Sequence, residues 1–63
     1  MKQRNYPCIV VHSVGSNLYA ATFLLTEERL SAFYSGPFQD VVFEFACEFA
    51  SYLLIDVYDE VNP

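Results

Sequence analysis

The sequence is poor in the residues from which catalytic and metal sites are built. His12 is the only histidine, and Cys8 and Cys47 are the only cysteines. On a strand, residues 8 and 12 would lie about 13 Å apart, which is too far for two ligands of one metal ion. Gly15 and Gly36 stand alone in the sequence and do not form a phosphate-binding loop. We therefore expect no enzyme activity, no metal and no cofactor.

The sequence also lacks a long apolar run. The most apolar stretch, residues 41–55, is shorter than the roughly 20 residues of a membrane-spanning helix and contains Glu44 and Glu48. The apolar run at residues 8–11 is too short for the core of a secretion signal. These observations predict a cytoplasmic protein, and that setting favours two free thiols over a disulfide.

What the sequence has in abundance is apolar and aromatic residues. They make up 54% and 17% of its 63 residues, with six Phe and five Tyr. That length predicts a single domain over residues 1–63, with frayed ends at 1–6 and 59–63. A domain this small buries only about 60% of its unfolded surface. We therefore expect a folded core, with some aromatic side chains left at the surface as a contact site.

The first half of the sequence predicts a hairpin followed by a short helix. Residues 7–14 and 18–25 are rich in β-branched and aromatic residues, and the turn residues Gly15-Ser16-Asn17 lie between them. Thr26 has the character of a helix N-cap, with Glu27 and Glu28 in the first turn. The short helix is predicted to end near residue 35, before Gly36 and Pro37.

The longest predicted element is a helix over residues 38–54. Its polar residues recur at intervals of four, four and three, which on a helix confines them to a sector of about 80°. They are Asp40, Glu44, Glu48 and Ser51. The apolar row on the opposite side is predicted to face the core, and it comprises Phe38, Val41, Phe45, Phe49 and Tyr52. Because the apolar arc covers more than half of this helix, we expect it to be buried on more than one side, either by the short helix or by a second copy of the chain.

These elements predict an α+β fold with two layers. An antiparallel β-hairpin, or a three-stranded sheet, is covered on one face by two helices in the order β-β-α-α. The alternating residues 55–58 offer a short final strand.

The charged residues are distributed unevenly. The net charge is −5, and residues 30–63 carry six acidic residues and no Lys or Arg. Like charges four residues apart destabilise a helix by about 0.2–0.5 kcal/mol per pair. One interpretation is a solvated face; the other is a face that binds a basic surface, of which nucleic-acid-binding surfaces are the commonest. The candidate binding residues are Asp40, Glu44, Glu48, Asp56, Asp59 and Glu60, with Glu27 and Glu28 as additional contacts.

In its length and charge layout the chain resembles the phage-encoded anti-CRISPR proteins. The residues that carry this resemblance are Asp40, Glu44 and Glu48 on the helix, followed by Asp56, Asp59 and Glu60. It is most similar to the small inhibitors of type I Cascade complexes, a type I-C inhibitor being one candidate. The resemblance implies a protein of the host bacterial cytoplasm that binds a Cascade subunit and blocks target DNA, as several members of the group do by imitating DNA charge. The net charge of −5 is modest for such a protein, so inhibition by an ordinary protein–protein contact is equally open.

The sequence therefore predicts a non-catalytic inhibitor whose acidic helix face occupies a basic, nucleic-acid-binding surface. Direct binding of nucleic acid is disfavoured, because the acidic second half repels phosphate. The alternative is a small interaction or structural module that acts through exposed aromatics as a homodimer. Either a monomer or a homodimer is compatible with the sequence.

Overall fold

Four strands and one helix make up the described part of the chain. The computed structural model describes residues 4–28 and 32–61. The elements are β1 (Cys8–Gly15), β2 (Leu18–Leu24), β3 (Ala32–Gly36), α1 (Gln39–Leu53) and β4 (Asp56–Asp59). The strands form one mixed sheet in the order β3-β2-β1-β4, and α1 packs against one of its faces. The α+β class predicted from the sequence is confirmed, but the described residues form a four-stranded mixed sheet with one helix instead of an antiparallel sheet of two or three strands with two helices.

The β1–β2 hairpin lies where the sequence predicts it. The two strands pair antiparallel, with Ile9 opposite Phe23, and the turn contains Ser16 and Asn17. Asn17 has a φ of 54°, a left-handed conformation that Asn adopts more readily than most residues. The predicted short final strand is also present, because β4 pairs in parallel with β1. β1 is thus an interior strand, hydrogen-bonded on both sides.

The prediction of a first helix after Thr26 is wrong for the residues that the structure describes. Residues 32–36 form β3, which pairs antiparallel with the open edge of β2, and residues 29–31 lie outside the described ranges. Thr26 does accept a hydrogen bond from the backbone N–H of Glu28, at 3.3 Å, but in a bend rather than at a helix. A capping residue and a local turn use the same side-chain bond, so the sequence signal was ambiguous. Pairing with β2 instead provides hydrogen-bond partners for the backbone N–H and C=O groups of residues 32–36.

An irregularity in β3 decides where its aromatic rings lie. Tyr34 pairs with Ala21 and Ala32 pairs with Thr22, so Phe33 is an extra residue without a partner on β2. Such a bulge bends the strand and re-aims a side chain. Phe33 and Tyr34 are consecutive, yet both rings contact aromatic residues of α1.

Helix α1 spans nearly the predicted range and ends where it was expected to end. Leu54 follows it with a φ of 59°, and the N–H of Ile55 donates to the carbonyl of Ala50 at 3.0 Å. This left-handed residue closes the helix and turns the chain towards β4. Pro37 precedes the first helical residue, Gln39, by two positions.

The face of α1 that packs on the sheet differs from the predicted one. The buried residues are Val42, Ala46 and Ala50, which are spaced by four and lie against Ile9, Val11 and Ala21 of the sheet. The apolar row that was predicted to face the core is exposed instead, and it comprises Phe38, Val41, Phe45, Phe49 and Tyr52. Small side chains let the helix approach the sheet closely, and the larger rings are displaced to its flank.

The opposite face of the sheet carries a second buried cluster. Cys8, Val10 and Leu24 are buried there, and Tyr6 and Tyr58 pack against them. Tyr6 precedes β1 and Tyr58 belongs to β4. Through this cluster, the β4 edge of the sheet packs together with residues near the start of the chain.

We predict that Ala46→Leu destabilises the fold by about 1–3 kcal/mol, because a larger side chain must enter the closely packed layer between α1 and the sheet. Urea unfolding followed by circular dichroism measures the free energy of unfolding. Cys47→Leu, at the exposed neighbouring position, is the matched control and is expected to change stability by less than about 0.5 kcal/mol. Equal effects of the two variants would contradict the packing of this row.

Candidate acidic and aromatic binding surface

Three of the predicted site residues form an exposed row on α1. Asp40, Glu44 and Glu48 are each four residues apart and all exposed. At 100° per residue, the centre of this row lies on the opposite side of the helix from the buried residues Val42, Ala46 and Ala50. We call these three residues the acidic row. Successive carboxylates in it are separated by about 6 Å along the helix axis.

The acidic residues of β4 and the segment after it are engaged elsewhere. Asp56 pairs with Cys8 of β1, so its side chain projects from the sheet face away from α1. It accepts a hydrogen bond from the amide of Asn5 at 3.3 Å, and Asp59 accepts one from the N–H of Val61 at 3.0 Å. The six carboxylates therefore do not form one patch.

Glu60 is the most strongly engaged of these residues. Its Oε2 accepts hydrogen bonds from Nε of Arg4, at 2.8 Å, and from a second guanidinium nitrogen. Both side chains are about four-fifths buried. These bonds raise the pKa of the Arg4 guanidinium further above its ordinary value. Glu60 is thereby neutralised and contributes little to an acidic binding surface.

The remaining predicted contacts, Glu27 and Glu28, are exposed in the bend after β2. β2 ends beside the first residue of β1, which is also where β4 begins. Both glutamates therefore lie near one end of the sheet, and they are not part of α1. The acidic row is the one set of predicted contacts that the helix itself holds in a regular array.

Aromatic side chains form a groove beside the acidic row. It has a volume of about 360 Å³ and lies between β3 and α1. We call it the aromatic groove. Its lining residues are Phe33, Tyr34, Phe45, Glu48, Phe49 and Tyr52. The rings of Phe33 and Phe49 lie 4.8 Å apart between centroids, and those of Tyr34 and Phe45 lie 4.5 Å apart. Glu48 belongs to both the groove and the acidic row.

The sequence alone does not indicate this groove. It did predict that some aromatics reach the surface, and this is confirmed: Phe45, Phe49 and Tyr52 are 46%, 41% and 86% exposed. The position of the groove depends on the rotation of α1 and on the bulge in β3, and neither has a local sequence pattern. The one sequence feature that pointed to such a site was the excess of aromatic residues over what a small core can hold.

The two cysteines occupy different environments and are both free thiols. Cys8 is buried on the sheet face away from α1, and burial raises the pKa of its thiol. Cys47 is exposed on α1. Nε2 of His12 lies 2.8 Å from the hydroxyl of Thr22 on the neighbouring strand. Within residues 4–28 and 32–61, no group of three or more His, Cys, Asp or Glu side chains could hold a metal ion.

Comparisons with protein-family models, with curated proteins and with solved structures found no match to this chain. In the described part of the chain, no helix is long and apolar enough to cross a membrane. The acidic row and the aromatic groove are therefore interpreted from their own geometry and chemistry.

We predict that Arg4→Gln lowers the free energy of unfolding by about 1–2 kcal/mol, because it leaves the largely buried Glu60 carboxylate without its charged partner. A double-mutant cycle with Glu60→Gln, measured by urea unfolding, should give a coupling energy of about 1 kcal/mol.

Glu44→Gln is the control for this cycle, since it removes an exposed carboxylate from the acidic row. It is expected to leave stability unchanged or slightly raised, because it relieves repulsion from its neighbours. A coupling energy near zero between positions 4 and 60 would show that the pair contributes nothing.

Proposed function

We propose that this chain is a non-catalytic binding protein that inhibits a nucleic-acid-binding complex by docking the acidic row on its basic surface. The observation that supports the proposal is that the carboxylates of the acidic row are exposed and have no basic side chain of the described residues beside them. Three carboxylates are held on one exposed helix face, and Arg4, the one Lys or Arg among residues 4–28 and 32–61, is already paired with Glu60. A basic partner is the complementary surface.

The spacing of the acidic row limits how far it can imitate nucleic acid. Its carboxylates recur about every 6 Å, whereas duplex DNA carries one charge per roughly 1.7 Å of its axis. The row can therefore cover a few basic side chains, but it does not reproduce a continuous phosphate backbone. The remaining inhibition would have to come from steric blocking of the DNA-binding surface by the rest of the protein.

The target that we propose is a CRISPR effector complex of the Cascade type. This choice rests on the resemblance in length and charge layout to the anti-CRISPR proteins, and on the exposure of the acidic row. The chain would bind a subunit that normally holds target DNA. The site of action would then be the bacterial cytoplasm.

A second candidate function is a protein-interaction module that forms a homodimer through exposed aromatics. The observation that favours it is the exposure of Phe45, Phe49 and Tyr52 on one flank of α1. An apolar patch of this kind often marks a protein contact. Sedimentation of the purified protein separates the two functions: a stable dimer that depends on these rings favours the second, and a monomer favours the first.

We predict that reversing the acidic row to lysine (Asp40→Lys, Glu44→Lys, Glu48→Lys) abolishes inhibition of target-DNA binding by a purified Cascade complex. The unmodified protein should lose affinity by at least about tenfold between 50 mM and 200 mM salt, since the contact is between exposed opposite charges. Electrophoretic mobility shift of labelled target DNA gives the inhibition, and circular dichroism establishes that the variant is folded.

The control is the pair of reversals Asp56→Lys and Asp59→Lys on β4, which changes net charge without altering the acidic row. It should retain most of the inhibition. Full activity of the acidic-row variant would eliminate the proposal, and equal loss in the β4 variant would show that net charge alone matters.

A further inference from the structure

The aromatic groove and the acidic row meet at Glu48. On α1, Glu48 and Tyr52 are four residues apart, so the carboxylate and the phenol ring lie one above the other on the same side of the helix. Phe49 lies next to them in the groove, with its ring against Phe33. A ligand seated in the groove therefore meets aromatic faces and a carboxylate at the same time.

This combination restricts the chemistry of the occupant. A purely apolar side chain would bury part of Glu48 without giving it a partner, which is unfavourable. A second copy of the chain would bring another acidic row against the first, and two surfaces of like charge repel each other. Both arguments point to a cationic group supplied by a different protein.

Among cationic side chains, arginine fits the groove best. Its planar guanidinium stacks on aromatic rings and can at the same time bond a carboxylate through its edge. Its methylene stem can lie along apolar surface while the charged head stays at the rim. The ammonium group of lysine is a strongly hydrated point charge without a stacking plane. A groove of about 360 Å³ has room for one such long side chain.

We propose that the aromatic groove binds an arginine side chain of the basic partner, stacked on Tyr52 and Phe49 with its guanidinium at Glu48. The inference rests on the proposed function, because it assumes a basic partner, and it identifies the residue type that anchors that partner. The acidic row would supply affinity for positive charge in general. The groove would supply preference for arginine over lysine.

The test uses two labelled peptides of glycine and serine that carry spaced arginines, or lysines at the same positions. Each is titrated into the full chain, and fluorescence anisotropy gives its Kd at low salt. The unmodified protein should bind the arginine peptide about two- to fivefold more tightly than the lysine peptide, the size expected of stacking at an exposed site.

Phe49→Leu and Tyr52→Leu remove the aromatic rings while keeping apolar side chains. Each should reduce or remove the preference for arginine, with little effect on the Kd of the lysine peptide. Phe43→Leu is the matched control, because Phe43 is exposed to a similar extent, 37% against 41% for Phe49, but is not part of the groove. It should leave the preference unchanged.

The outcomes separate this inference from the function on which it rests. If both peptides bind equally and Glu44→Gln weakens both, the acidic row binds cations but the groove does not select arginine, and the inference is overturned alone. If neither peptide binds, the proposed function is overturned with it. If sedimentation shows a dimer that Phe49→Leu dissociates, a second copy fills the groove and the inference is wrong.

Discussion

The close contact between small residues of α1 and the sheet is the constraint on which the other features of this protein depend. Val42, Ala46 and Ala50 lie against the aliphatic side chains of β1 and against Ala21 of β2. Once these small residues face the sheet, the rotation of the helix about its axis is set. The acidic row must then point outwards, and the aromatic residues must lie along the flank.

This rotation places charged and apolar surface side by side. The acidic row is tolerated because its carboxylates are exposed and screened by water and salt, so their mutual repulsion is small. The flanking rings gain partial burial against Phe33 and Tyr34 of β3. What results is a surface that offers a partner both unneutralised negative charge and aromatic contact area. Neither feature alone would specify more than a weak, general attraction.

The elements with regular patterns could be predicted, and those that depend on neighbours could not. The hairpin, the long helix and the short final strand all carry a local signal, respectively β-branched runs around a turn, polar residues at intervals of four, and alternation. The segment around Phe33 carries no such signal. It becomes a strand because β2 offers an unpaired edge, although Thr26 followed by Glu27 and Glu28 predicts a helix there.

The candidate site was predictable to the same partial extent. The pattern of polar residues placed Asp40, Glu44 and Glu48 on one exposed face, and the structure agrees. The pairing of Glu60 with Arg4 joins residues 56 positions apart, and no local pattern could have indicated it. The position of Asp56 on the sheet face away from α1 likewise follows from strand register, in which Asp56 pairs with Cys8.

The sequence by itself determined which residues form the long helix and that three carboxylates share one of its faces, because both follow from the 3.6-residue period of the backbone. Which apolar side of that helix meets the sheet was decided only in the tertiary structure. Aromatic and small apolar residues satisfy the same hydrophobic pattern, but their volumes differ, and the choice between them depends on how closely helix and sheet can approach.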